Sequence, residues 1–206
     1  MIIQSKFLDI NEYCGIFRFM QRENILAMQT SLETGLRIND VLKIKRTDIA
    51  GNTLHYVAEK TGKPGTKKLP KKLIDDLFSI SGSVYVFSGK RNPHTHRTRQ
   101  AVWTDIKKAC EKLGIDSRGV SCHSARKTYS VNTLKQYGFS RAQTELQHSR
   151  SDQTMLYVFS DILRASERNI TNYRNSDIEE LAEKLAEKMW KKIEKYMEMR
   201  EKKRKS

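Results

Sequence analysis

Apolar positions along the 206-residue chain recur mostly at helical spacing, interrupted by one stretch of alternation. "LDINEYCGIFRFM" opens with Asp9 as N-cap and Glu12 three residues on, a capping-box pattern that predicts a helix to about residue 20. "ENILAMQTSLETG" predicts a second helix with Gly35 in its C-terminal cap. "RINDVLKI" predicts a short third helix, capped by Asn39. "NTLHYVAEK" alternates and predicts a strand, "TGKPGT" a turn, and "KKLP" a short returning strand. Pro70 opens the next helix, "KKLIDDLFSI". "SVYVF" predicts another short strand, and "SGKRNPHTHR" a basic loop. Val102, Ile106, Ala109 and Leu113 set the face of a helix ending at Gly114. "HSARKTYSVNTLKQYG" predicts a helix ending at Gly138. Ser140 with Gln143 caps a further helix, and Met155 to Phe159 form one more.

From Ser176 the pattern changes to a long charged helix with the stripe Ile178, Leu181, Leu185, Met189, Ile193 and Tyr196. Residues 176–206 hold eight acidic and ten basic residues, so of the formal net charge of +15 this tail carries only +2. The body, residues 1–175, carries +13. A body this basic calls for a polyanionic partner, and nucleic acid is the first candidate. A membrane-surface role would need a basic helix with a bulky apolar face. Three cysteines, Cys14, Cys110 and Cys122, form no C-x-x-C pair, which suits a reducing compartment. No apolar run approaches a membrane span, and the first residues have no signal-peptide core. The expectation is a soluble intracellular protein.

Candidate chemistry starts at "CHSARKTYS". His123 and Arg126 lie one helical turn apart and share a face, which suits an anion. Alone, this pair is better read as structural, with Arg126 in a salt bridge and His123 satisfied locally. Three other stretches add to it: "TGLRIND" with Arg37, "EKTGKPGTKKLP" with Lys60, and "LQHSRSDQTMLY" with His148 and Tyr157. Lys60 follows Arg37 by 23 residues, His148 follows Arg126 by 22, and Tyr157 follows His148 by nine.

In this order, the four stretches resemble the catalytic domain of the tyrosine recombinases, the phage integrase family, over roughly residues 7–165. The resemblance implies an α+β fold, mainly α-helical with a small antiparallel β-sheet, plus the C-terminal helix. It implies a site-specific DNA recombinase that cleaves and rejoins strands through a 3′-phosphotyrosine intermediate, without metal, ATP or another cofactor. Tyr157 is then the nucleophile, Arg37 and Arg126 clamp the phosphate, and Lys60 protonates the leaving 5′ oxygen. His123 and His148 position the phosphate and assist proton transfer. The partner is double-stranded DNA, and a homotetramer forms on synapsed DNA through the C-terminal helix. Such a protein is cytoplasmic and DNA-associated, encoded by a bacterium, an archaeon or a phage, often on a mobile element.

Alternatives stay open at several positions. Lys63, Lys67 and Lys68 share the hairpin with Lys60, which is preferred because it directly precedes Thr61-Gly62. Tyr129, Tyr137 and Tyr173 are other tyrosines, with Tyr129 better suited to packing. Cys122 beside His123 and the "HTH" at 94–96 lack the companions a thiol nucleophile or a metal site needs. Against the family pattern, Asp40 stands where glutamate is usual, Gln147 where glycine is common, and Ala125 where leucine is usual; Lys127 follows Arg126. The first arginine box begins near residue 34, so the N-terminal core-binding domain of most members is expected to be absent. A catalytic fragment, a minimal recombinase and a non-catalytic DNA-binding relic or accessory factor all fit. A type IB topoisomerase-like enzyme shares the tyrosine and cations, but the His148 box favours a recombinase.

Overall fold

The computed structural model describes residues 5–137. Two compact units divide the chain, residues 1–130 and residues 131–206. The first holds every element below except the end of its last helix. Expectations for His148, Tyr157, the Ser140 capping box, the 155–159 helix and the charged helix from Ser176 lie outside the described residues.

The chain is mainly helical with one small sheet. Helix α1 spans Ile10–Phe17 and starts on the expected capping box. Glu12 N–H donates to Asp9 Oδ1 at 2.9 Å, and Asp9 N–H donates to Glu12 Oε2 at 2.9 Å. Two orphan donors are thereby satisfied. The helix stops about one turn short of the expected residue 20. Helix α2, Arg22–Thr34, ends at Gly35, whose φ of 70° is left-handed. Glycine reaches that region without the Cβ clash that other residues meet. The chain then extends for two residues and re-enters a helix, α3, at Ile38–Leu42. Its N-cap is Arg37 and not Asn39: the backbone of Arg37 is already extended, and its carbonyl accepts from Val41 N–H at 3.0 Å.

A short 3-10 turn, Arg46–Asp48, leads into a three-stranded antiparallel sheet of β1 (Ile49–Ala50), β2 (Thr53–Val57) and β3 (Pro64–Lys68). Strand β1 has only two residues, too few to show as alternation in the sequence. Strand β3 starts at Pro64, earlier than "KKLP" suggests, because Gly65 and Thr66 pair with Tyr56 and His55. Pro64 lacks an N–H and sits at the end of the ladder, where none is needed. The hairpin closes over Ala58–Lys63, with Ala58 N–H donating to Lys63 O at 2.9 Å and Gly62 in the left-handed region.

Helix α4 spans Lys71–Ile80 with Pro70 as N-cap. "SVYVF" does not form a strand. It is held by single contacts to the segment after α3, with Val86 N–H donating to Ile44 O at 2.9 Å and Arg46 N–H to Val84 O at 3.1 Å. Its one bridge, Lys45 to Tyr85, has no ladder beyond it. Its apolar residues serve packing instead, since Val86 and Phe87 are fully buried. Helix α5 spans Arg99–Lys112 and helix α6 Cys122–Tyr137.

The core gathers Tyr13 and Ile16 of α1, Leu26 and Met28 of α2, Leu54 of β2, Leu77 of α4, and Val102 and Ile106 of α5. Each such side chain contributes roughly 1.5–3 kcal/mol on burial. Residues 5–8 are laced to α6 from behind. Lys127 Nζ donates to Ser5 O at 3.1 Å, and Thr128 Oγ1 donates to Leu8 O at 3.1 Å. This fixes the first turns of α6, where His123 and Arg126 stand.

Candidate functional site

Gly35 organises one wall of the site. A side chain there would meet the ring of Tyr129, whose carbons lie 2.4–2.5 Å from where a Cβ would be. The bare backbone lets α6 come close enough for the Arg126 guanidinium to donate to the Gly35 carbonyl. Arg126 is buried, at 6% exposure. Its charge is thus planted two residues from Arg37. The Tyr129 hydroxyl in turn accepts from Lys67 Nζ at 3.4 Å, with that ammonium 5.4 Å from the ring centroid.

Arg37, Lys60 and His123 come together from three separate elements. They line one cavity of about 280 Å³, with Ile38, Asn39, Asp40, Glu59 and Arg99. Arg37 enters from the start of α3, Lys60 from the hairpin turn and His123 from the first turn of α6. Of the hairpin lysines, Lys60 is the one that lines it. Lys67 lies against Tyr129, and Lys68 donates to Asn52 Oδ1 at 3.0 Å. Arg126 does not line the cavity; it sits on the Gly35 carbonyl beside it.

The hairpin is tied to α3 by Asp40. Its Oδ1 accepts from Glu59 N–H at 3.0 Å, one residue before Lys60, and the carboxylate is buried. Oδ2 has no partner among the described residues. A second tie crosses the same gap, with Lys43 Nζ 2.6 Å from Glu59 Oε1. These contacts fix where the hairpin presents Lys60.

Electrostatics follow from the convergence. His123 is held below the ordinary imidazole range, first by loss of hydration and then by Arg99, Arg126 and Arg37. The ring stays solvent-accessible, so the surrounding protein desolvates it without covering it. A neutral imidazole can both accept and donate a proton. Cys122 behaves otherwise: it is buried, and burial pushes its thiol up to about 11. A thiolate is disfavoured there, so Cys122 is poorly suited to attack. His96 of the "HTH" stretch places Nδ1 2.8 Å from Arg97 O and packs edge-on to Tyr85.

Arg99 is the residue that motif reading missed. It begins α5 directly after the N-cap Thr98 and belongs to none of the four boxes. The signal available was its place between a basic loop and a helix start, which is not specific.

Residues 6–164 match the model of the phage integrase family. The chain belongs to that family. Among curated relatives of this phage integrase family member is a tyrosine recombinase XerD-like protein of Streptococcus gordonii (strain Challis). The two are 29% identical over 104 residues, which cover 50% of this chain and 41% of that protein. Among solved structures, a lambda integrase dimer bound to a COC′ core site superposes with a TM-score of 0.66 at 21% identity, covering 77% of this chain and 49% of that one. XerA recombinase superposes with a TM-score of 0.63 at 15% identity, covering 83% and 66%. These likenesses show the tyrosine recombinase catalytic fold. The chain spans half or less of the XerD-like protein and of the lambda integrase chain. Among the described residues, no helix is long and apolar enough to cross a membrane.

Proposed function

We propose that this chain is a site-specific DNA recombinase that breaks and rejoins strands through a covalent phosphotyrosine. The observation that carries this reading is the convergence of Arg37, Lys60 and His123 on one cavity, with Arg126 planted beside it. Three elements distant in sequence supply these groups, and packing alone gives no reason for such a cluster of cations.

The Tyr157 phenol passes its proton to one of the two imidazoles, His123 or His148, as its oxygen attacks the scissile phosphorus and forms the P–O bond of a 3′-phosphotyrosine. The bond to the 5′ oxygen breaks, and Lys60 gives that oxygen its proton. As the pentavalent state forms, charge gathers on the non-bridging oxygens. Arg37 and Arg126 meet it with forks that stay charged throughout. Preorganised charge of this kind is a large catalytic contribution. His123 and His148 hold the phosphate and shuttle protons; the lowered pKa of His123 keeps its ring neutral and able to do both. The 5′ hydroxyl of a second strand then reverses the sequence and releases Tyr157. Double-stranded DNA is the substrate, and four protomers assemble on two synapsed duplexes, with the segment from Ser176, expected to be helical, reaching a neighbour.

Covalent capture tests this reading. The protein is incubated with fragmented host or element DNA and denatured, and whatever stays attached is sequenced, with Tyr157→Phe alongside. DNA retained by the wild type alone is expected, and it would deliver the recombination site. Salt-sensitive binding without retention would point instead to a DNA-binding accessory protein on the same scaffold.

A further inference from the structure

We propose that Arg99 is an additional phosphate contact of this cavity, gripping a DNA backbone phosphodiester through its guanidinium fork. The proposal rests on the reading of the cavity as a DNA-binding site.

Four independent observations carry it. First, Arg99 lines the same cavity as Arg37, Lys60 and His123, yet comes from a different element, α5. Three cations therefore face two carboxylates, Asp40 and Glu59. Glu59 is already paired with Lys43, and Asp40 accepts from a backbone N–H. Among the described residues the Arg99 guanidinium has no ion pair.

Second, Arg99 stands where folding favours the opposite charge. The first turn of a helix carries positive potential, and carboxylates are favoured there. The first turn of the 14-residue α5 has no acidic residue and begins with this arginine. An anion received at that point offsets both the helix end and the side chain.

Third, the backbone that carries Arg99 is fixed on both sides. Two residues earlier, Arg97 is buried, with Nε 2.5 Å from Asn24 Oδ1 and one terminal nitrogen 2.6 Å from Gln21 Oε1. The Cys122 thiol, adjacent to His123, donates to the Arg99 carbonyl at 4.0 Å. Arg99 is thus an exposed side chain on an anchored backbone, which limits the entropy lost when it binds.

Fourth, the charge of Arg99 acts on His123, which lines the same cavity. Its charge is the largest of the three arginine contributions that lower the imidazole pKa. The charged groups around that ring are then Arg99, Arg126 and Arg37, with Lys60, Asp40 and Glu59 across the cavity.

The test compares wild type with Arg99→Gln, Arg99→Lys and a control, Arg118→Gln, which removes an exposed arginine paired with Asp116. Binding of a fluorescent random-sequence duplex is followed against salt, Tyr157-dependent adducts are quantified, and His123 is titrated by NMR. Arg99→Gln should flatten the log–log salt slope by about 0.9, the share of one neutralised phosphate. It should lower adduct yield at least about tenfold, as expected for a lost charged contact, and raise the His123 midpoint. Arg99→Lys should keep the slope and regain only part of the adduct, since an ammonium lacks the fork. Arg118→Gln should leave all three readouts unchanged. Should Arg99→Gln match wild type in slope and in a robust Tyr157-dependent adduct, the Arg99 contact is refuted while the recombinase reading stands. Should wild type form no adduct but the slope still flatten in Arg99→Gln alone, the contact stands and the recombinase reading falls.

Discussion

His123 lies in the field of three arginines and is held below its ordinary value. In the unfolded chain it titrates near the ordinary imidazole value of about 6.5. Between that value and the lower folded one, the unfolded state binds more protons, so stability falls as pH drops through this window. The deficit is complete below the folded pKa and absent above the unfolded one. His123→Asn is therefore expected to shrink the loss in urea midpoint between about pH 7.5 and about pH 5. An unchanged loss would mean that other groups control the acid limb. At this scale the candidates Arg37, Lys60 and His123, which share one cavity, were legible because each sits in a short box resembling those of a known family. Arg99 was not, since one arginine at a helix start resembles any surface arginine. Nor could the sequence show that Arg126 rests on the carbonyl of Gly35, 91 residues away.

The Gly35 junction governs the element scale. It ends α2, frees the chain to turn into α3, and leaves the space that the Tyr129 ring of α6 occupies. Gly35→Ala is expected to cost about 1–2 kcal/mol for the left-handed backbone alone. Displacement of the ring adds to this, because the clash involves a half-buried side chain tethered to Lys67. Denaturant unfolding should show that loss, and under the proposed function DNA cleavage should fall even where the protein remains folded, because Arg126 moves with α6. A variant as stable and active as wild type would remove Gly35 from the argument. The helix boundaries at Asp9, Gly35 and Pro70 were legible because capping chemistry is local, whereas the Thr98 cap of α5 emerged only with the structure. The strand expected at "SVYVF" was not formed, because a strand needs a partner and periodicity says nothing about partners. The Asn39 cap was displaced for a similar reason: the glycine turn before it set where α3 begins.

At the scale of the whole molecule, the formal charge of +15 and the fold point the same way. Composition indicated a polyanion partner, and the cavity shows where part of that charge is concentrated. Helices and a hairpin were legible from hydrophobic spacing, caps and turn residues, and the fold class from the family resemblance, whereas the assembly of residues 37–60 with Arg99 and His123 around one cavity was not. That assembly brings Arg37, Lys60 and Arg99 together with few counter-charges, and like charges held close repel. An anion that enters the cavity therefore meets three cations against two carboxylates, Asp40 and Glu59. Any small tetrahedral anion that enters should stabilise the protein: at ten times its dissociation constant, by about 1.4 kcal/mol. A thermal melt in inorganic phosphate or vanadate should rise with anion concentration, and should rise less in Arg37→Gln. Equal rises would place the anion elsewhere. The melting temperature of this protein is then a shared property of chain and buffer, and under the proposed function a phosphate buffer would compete with DNA for the same cations.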